Sequence, residues 1–222
     1  MSLSWEERRL AARARTALSG WDYHLWDDAE NRAMIAELFP DHLERYDSIA
    51  HGVAKADIAR YAYMLKFGGV YSDTDYKWLR APDEKFLSAS LVLPVSRGRA
   101  PADLDFKLGN AVLMSKPGHP FWHEMLEWIF ARLDGSGLRE SGIIAATGPD
   151  AVTDFFLENR ERFPDACLPA RPIFHPWIRR GGLWHERVEE GIGVHLCWGS
   201  WRSKPFARSL KTLMARKWTA LT

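Results

Sequence analysis

ADIARYAYMLKFGGVYSDTDYKWLRAPD, residues 56–83, reads as a helix, a stop, and a strand that delivers two carboxylates. Apolar residues at Ile58, Ala59, Ala62, Met64 and Leu65 form a helical stripe between Lys55 and Phe67. Gly68 and Gly69 end it, because glycine accepts the left-handed backbone of a helix terminus. Val70 to Asp73 then begins a strand, and Asp73-Thr74-Asp75 falls at its carboxyl end, where open α/β sheets bind ligands. Residues two apart on an extended backbone point to one side, and a turn would converge both carboxylates on one hard cation. Two oxygen ligands leave Mg²⁺ or Mn²⁺ room for a diphosphate. The triplet alone says little: fifteen Asp in 222 positions yield about one Asp-x-Asp by chance. A second copy, Asp103-Leu104-Asp105, follows Pro101 in a polar loop without that setting and is expected to be solvated.

Outward from this stretch the period alternates between helical and extended, which predicts an α/β fold. Residues 5–18 and 29–39 read as helices, WDYHLW at 21–26 as a short strand, and LSASLVLPVS at 87–96 as another strand with Pro94 near its end. ADLDFKLGNAVLMSKPG at 102–118 reads as a loop leading into a strand. PFWHEMLEWIFARL at 120–133 is an amphipathic helix with proline at its start, and a further helix is expected at 149–160. Residues 164–184, rich in Pro, Arg, Gly and aromatics, lack a period and read as an irregular loop of the kind that lies over a site. No repeat or linker is visible, so residues 1–222 are taken as one domain.

Composition disfavours several classes. Lys and Arg total 30 against 29 Asp and Glu, and no block of like charge marks a nucleic-acid partner. No apolar run approaches the roughly 20 residues that span a bilayer, and the charged opening helix lacks the apolar core of a signal peptide. A cytoplasmic protein is expected, with membrane contact at most peripheral. Cys167 and Cys197 stand apart, in neither a disulfide nor a zinc pattern, and read as core thiols. The 11 tryptophans read chiefly as core. His119 and His123, four apart, fit a helix cap and a packed face better than zinc, since no His-Glu-x-x-His order is present.

On the helix before the carboxylates, Asp57 and Arg60 are three apart and share a face. Arg60 can fork onto a carboxylate or phosphate and Asp57 can accept from hydroxyls. A surface ion pair worth under about 1 kcal/mol is the plain alternative.

The whole of residues 56–83 resembles the sugar-binding region of DXD-type glycosyltransferases, a family that includes bacterial capsule and lipopolysaccharide transferases. Asp57, Arg60, Tyr61, Gly68, Gly69, Tyr71, Asp73 and Asp75 fall where that family has them. LWDD before the region, Asn110, the GHPFW at 118–122, Thr147-Gly148-Pro149, and His195 with Gly199-Ser200-Trp201 extend the likeness over roughly residues 20–202. The resemblance implies a GT-A-like fold, a Rossmann-type mixed sheet flanked by helices. It also implies a UDP- or GDP-linked nucleotide sugar as donor, Mn²⁺ or Mg²⁺ as cofactor, and a saccharide or glycolipid acceptor. Asp73 and Asp75 would hold the metal, Asp75 the more directly, with His195 as third ligand or phosphate contact. Asp57, Arg60 and Tyr61 would serve the donor sugar and phosphate side, Tyr71 would line the donor pocket, and Asn110 would meet a sugar edge. Ser200 and Trp201 would close over the diphosphate. Asp57, Arg60 and Asp75 are thus the expected catalytic residues.

One departure stands out: relatives begin with an Ile-Pro-Lys-Ile-Ile-His-Gln-x-Trp-type strand, and this chain begins with a charged helix. That strand is either lost or replaced by another element, and its loss would expose a sheet edge. The expected reaction is a retaining sugar transfer. A non-catalytic relative that binds sugar or acts as a scaffold is the alternative. An Asp-x-Asp phosphohydrolase is disfavoured by the short apolar stretch before the motif and by Lys77 two residues after it.

Overall fold

The computed structural model describes residues 3–98, 105–133, 142–178 and 185–199. Helix α1, Trp5–Ala17, opens on a reciprocal cap in which Ser4 accepts from the Glu7 N–H while Glu7 accepts from the Ser4 N–H. Helix α2, Asp28–Leu38, opens the same way on Asp27 and Glu30. Helix α3, Leu43–Ser48, leads into α4, Gly52–Phe67, which stops at Gly68 with φ 60°. A Cβ on Gly68 would lie 2.4 Å from the Pro117 nitrogen, so both the backbone angle and the close approach demand glycine. Strand β1, Gly69–Ser72, and β2, Tyr76–Trp78, flank the Asp-x-Asp turn. There follow α5 (Glu84–Leu87), β3 (Leu91–Val92), β4 (Val95–Arg97), β5 (Lys107–Leu108) and β6 (Val112–Ser115). Next come α6 (Pro120–Arg132), α7 (Ile143–Ala146), α8 (Pro149–Asn159), β7 (Ala166–Cys167), α9 (Arg171–Phe174) and β8 (Gly193–His195).

The central sheet runs β1-β6-β3-β7, with β6 antiparallel to both β1 and β3 and β7 parallel to β3. Two small ribbons, β2-β8 and β4-β5, lie beside it. Because side chains alternate along a strand, each face of the sheet carries its own core. Leu91 and Leu113 join Ile58, Tyr61, Trp122, Ile129 and Phe155 from α4, α6 and α8. Val92, Val112 and Met114 pack instead with Ala14 of α1 and with Trp78, Phe86 and Phe174. Helices cover both faces, which is why β3 and β6 are apolar without alternation. Each fully buried side chain of the size of Trp122 contributes on the order of 2–3 kcal/mol. This is the α/β fold that the alternating pattern predicts, with the mixed sheet flanked by helices that the resemblance implies.

Several local expectations are corrected. Residues 21–26 form no strand: Trp21, Tyr23 and Leu25 are exposed, and Trp26 instead stacks on Tyr63 with ring centroids 4.0 Å apart. Alternation specifies a strand only where a partner edge is present, and this segment has none. Among the described residues no strand precedes Gly69. The strand expected over 87–96 is two strands, because Pro94 has no N–H to continue the ladder, although its carbonyl accepts from the Gly109 N–H at 2.8 Å. The loop expected over 164–184 contains β7 and α9, too short for periodicity to reveal. Cys197 is exposed rather than a core thiol, and Cys167 is half-buried. His119 caps α6, its Nδ1 accepting from the Phe121 N–H. No helix among the described residues is long and apolar enough to cross a membrane.

Candidate metal and donor site

The pairing of β1 with β6 sets Tyr71 opposite Leu113 and continues one residue further, where the Asp73 N–H donates to the Ala111 carbonyl at 2.8 Å. The Tyr76 N–H then donates back to the Asp73 carbonyl at 3.0 Å, closing a four-residue turn around Thr74 and Asp75. From the other side, β8 lies antiparallel to β2 with His195 opposite Tyr76, and the Leu196 N–H donates to the Asp75 carbonyl at 3.0 Å. Gly193 permits this approach, since a Cβ there would sit 2.3 Å from the Tyr76 ring. Residues 120 positions apart are thereby locked to one turn by backbone hydrogen bonds.

His195 Nε2 lies 3.2 Å from Asp75 Oδ1 and 3.7 Å from Asp73 Oδ2. One ligand atom from each of Asp73, Asp75 and His195 can be chosen so that all three lie within 4.8 Å of one another. The opposite oxygens are already engaged. Asp75 Oδ2 accepts from the Trp198 N–H at 2.9 Å, and Asp73 Oδ1 accepts from Arg60 Nη1 and the Tyr71 hydroxyl, both at 2.8 Å. Each carboxylate is therefore held by one oxygen and presents the other to a common point. Two carboxylates and an imidazole suit Mn²⁺ or Mg²⁺, with coordination positions left for a ligand.

Behind this point lies a buried polar cluster. Arg60 and Asp57 are 6% and 4% exposed and pair at 3.0 Å, which replaces the surface ion pair as the reading of their spacing. Arg60 Nη1 also donates to the Asn110 carbonyl at 2.7 Å, and the guanidinium lies 5.0 Å from the Tyr71 ring centroid. Asn110 Nδ2 donates to Asp57 Oδ1 at 3.0 Å and to the Tyr61 hydroxyl at 3.1 Å. Thr147 Oγ1 donates to Asp57 Oδ2 at 3.0 Å, and the Tyr61 hydroxyl donates to the Thr147 carbonyl at 2.8 Å. Such a network is stable only when nearly all its members are satisfied.

Burial and pairing split the carboxylates electrostatically. Burial pushes Asp57 up to about 6, against the pull of Arg60. Burial also raises Asp73, partly offset by Arg60 and His195. Burial works against the charge on Asp75 too, but His195 and the Trp198 N–H outweigh it and hold that carboxyl below its ordinary range. Desolvation opposes the charge on His195, yet the adjacent Asp75 raises it well above the usual imidazole value. A cation at this point would therefore compete with the His195 proton.

The structure thus brings together Asp57, Arg60, Tyr61, Tyr71, Asp73, Asp75, Asn110 and His195. Ser200 and Trp201 lie outside the described residues, as does Asp103 of the second Asp-x-Asp. Thr147 and the Trp198 N–H were not singled out by the sequence for these roles. Thr147 stands 90 residues from Asp57, and nothing in the local pattern marks its hydroxyl.

Residues 5–91 match the family described as "Glycosyltransferase sugar-binding region containing DXD motif". Over 159 residues the chain is 28% identical to inositol phosphoceramide mannosyltransferase 2 of Schizosaccharomyces pombe, covering 72% of this chain and 42% of that protein. Over 176 residues it is 30% identical to mannosyl phosphorylinositol ceramide synthase SUR1 of Saccharomyces cerevisiae, covering 74% and 44%. The chain thus spans less than half the length of these relatives. Among solved structures it is similar to the PaToxG glycosyltransferase at a TM-score of 0.45 and 13% identity, covering 72% of this chain and 64% of that one.

Proposed function

The chain is a relative of the DXD-containing glycosyltransferases over residues 5–91, and on that premise we propose that it transfers a sugar from a nucleoside-diphosphate sugar to a saccharide or glycolipid acceptor. The observation that carries this reading is the convergence of one oxygen from Asp73, one from Asp75 and Nε2 of His195, beside the buried Asp57–Arg60–Asn110 cluster.

Mn²⁺ or Mg²⁺ held by these three residues would supply positive charge to the donor's diphosphate as it leaves. The chain's own part is positioning. Arg60 and Tyr71 fix the rotamer of Asp73, and the Trp198 N–H fixes Asp75. Nearly all of the hydrogen-bonding capacity of Asp57 and most of that of Arg60 is spent within the protein. Both therefore act chiefly through Asp73 and Asn110 rather than as primary ligand contacts. Fixed donors and dipoles of this kind stabilise developing charge without reorganising during the reaction. The reaction we infer is retaining: the acceptor oxygen bonds to the anomeric carbon on the face the diphosphate leaves, and the acceptor's hydroxyl proton passes to the departing diphosphate oxygen. An inverted anomer in the product NMR spectrum would refute that stereochemistry.

The direct test is thermal unfolding with UDP, GDP and their common sugar conjugates, with and without Mn²⁺, on the native protein and on an Asp73→Asn, Asp75→Asn double variant. A ligand at about 100 times its Kd adds roughly 2.7 kcal/mol, or about 5–10 °C in a chain of this size. A shift that needs both one nucleotide and Mn²⁺ and disappears in the double variant supports the donor site. No shift with any nucleotide favours a non-catalytic relative.

A further inference from the structure

Among the described residues Trp177 is the most exposed large apolar side chain, at 59%. It is nevertheless held in place. Its backbone N–H donates to Glu186 Oε2 at 3.1 Å, its backbone carbonyl accepts from the Glu186 N–H at 2.6 Å, and the Arg171 guanidinium lies 4.4 Å from its ring centroid. Arg171 is itself 1% exposed. It donates to the His175 carbonyl at 3.0 Å and to Glu186 Oε2 at 3.1 Å, while its Nε is buried without a hydrogen-bond partner. Burying an incompletely satisfied guanidinium costs free energy. The guanidinium is nevertheless kept against the ring of an indole that stays exposed. A flat apolar surface already fixed in orientation suits ligand binding, because little side-chain freedom remains to be lost.

Its place in the fold says what it would meet. Trp177 follows His175 by two residues, a reach of at most about 7 Å of backbone. The His175 ring centroid lies 6.3 Å from that of His195. His175 Nε2 also abuts Gly109, where a Cβ would lie 2.5 Å from it. Gly109 directly precedes Asn110 of the Asp57–Arg60 cluster. The indole is thus carried two residues beyond a histidine whose ring lies beside both His195 and Gly109.

We propose that Trp177 is the stacking platform for the acceptor's sugar ring, the C–H face of a pyranose lying on the exposed face of the indole while its hydroxyl edge faces the donor. This inference rests on the glycosyltransferase reading above and adds the acceptor subsite to it. Arg171 and Glu186 are positioning residues for the platform.

The test is saturation-transfer NMR on the full chain with methyl α-D-mannopyranoside, methyl α-D-glucopyranoside and methyl β-D-galactopyranoside, without donor or metal. Native protein is compared with Trp177→Ala and Trp177→Tyr. At least one glycoside is expected to receive saturation through its ring C–H protons, to bind about tenfold or more weakly to Trp177→Ala, and to bind Trp177→Tyr nearly as well as native. Native protein that binds none of the three, or binding that Trp177→Ala leaves unchanged, overturns the assignment. So does a Trp177→Ala variant that instead loses the Mn²⁺-dependent nucleotide shift, which would place the indole against a nucleobase. Because glycoside binding is read without donor or metal, a failed nucleotide titration would sink the donor-site reading while leaving this result separately legible.

Discussion

Replacing Thr147 by valine tests whether the buried cluster is held together as described. Thr147 is fully buried, and its hydroxyl donates to Asp57 Oδ2 at 3.0 Å, with the Ile143 carbonyl farther away at 3.3 Å. Valine preserves the volume and removes the donor. Asp57 Oδ1 keeps Arg60 and Asn110, while Oδ2 loses the hydroxyl that satisfies it. Leaving a buried acceptor unsatisfied costs about 1–3 kcal/mol, and each kcal/mol moves the unfolding midpoint by roughly 2–4 °C in a chain this long. Taking the central cost of about 2 kcal/mol, we expect Thr147→Val to unfold about 4–8 °C below the native protein. A double-mutant cycle with Asp57→Asn should return a coupling of about 1 kcal/mol or more. Urea denaturation of the four proteins at fixed pH measures it. A Thr147→Val midpoint within about 1 °C of native, or a coupling near zero, would refute the claim that this hydroxyl holds the carboxylate.

Three further outcomes follow from the same geometry. Tyr71→Phe removes one donor from Asp73 Oδ1 and keeps the ring beside Arg60; Mn²⁺ affinity by calorimetry should fall about 10-fold with little change in stability. His175 is buried, and desolvation lowers its imidazole to about 3, so the folded state resists protonation that the unfolded chain accepts near 6.5. Its contribution is complete above pH 6.5 and is lost as pH falls toward 3, at a limiting slope of about 1.4 kcal/mol per pH unit. The acid-side stability profile of His175→Phe, measured in chelator, should therefore be flatter than that of the native protein; parallel profiles would count against a neutral buried imidazole. Gly68→Ala places a Cβ 2.4 Å from the Pro117 nitrogen at a positive φ and should cost more than about 1 kcal/mol, read as a lower urea midpoint.

Much of this architecture is written locally in the chain. The apolar stripe of α4 and the Gly68-Gly69 stop follow from helix geometry and glycine's backbone freedom, and both stand as read, with α4 reaching back to Gly52. The reciprocal caps at Ser4 and Asp27, and Pro120 at the start of α6, are likewise short-range chemistry. The strand at 21–26 failed for the complementary reason. Its alternation was real, but strand formation depends on a second edge that the segment cannot specify. Strands of two residues, such as β3 and β7, are likewise made by their partners and not by their own sequence.

The Asp-x-Asp motif and the Asp57–Arg60 spacing could be read from one stretch because their residues lie within a helix and the strand it feeds. Sequence alone could not say that Asp57 and Arg60 are buried, nor which oxygen of each carboxylate is engaged. The β2-β8 pairing decided that His195 meets Asp75, and the placing of Thr147, at the end of α7, beside α4 decided that it meets Asp57 and Tyr61. Contacts 90 or 120 positions apart leave no local period behind. The sequence determined which residues have the chemistry for a metal and a sugar; the tertiary structure decided which of their atoms are committed to the protein and which face a common point, because that depends on packing between segments distant in the chain.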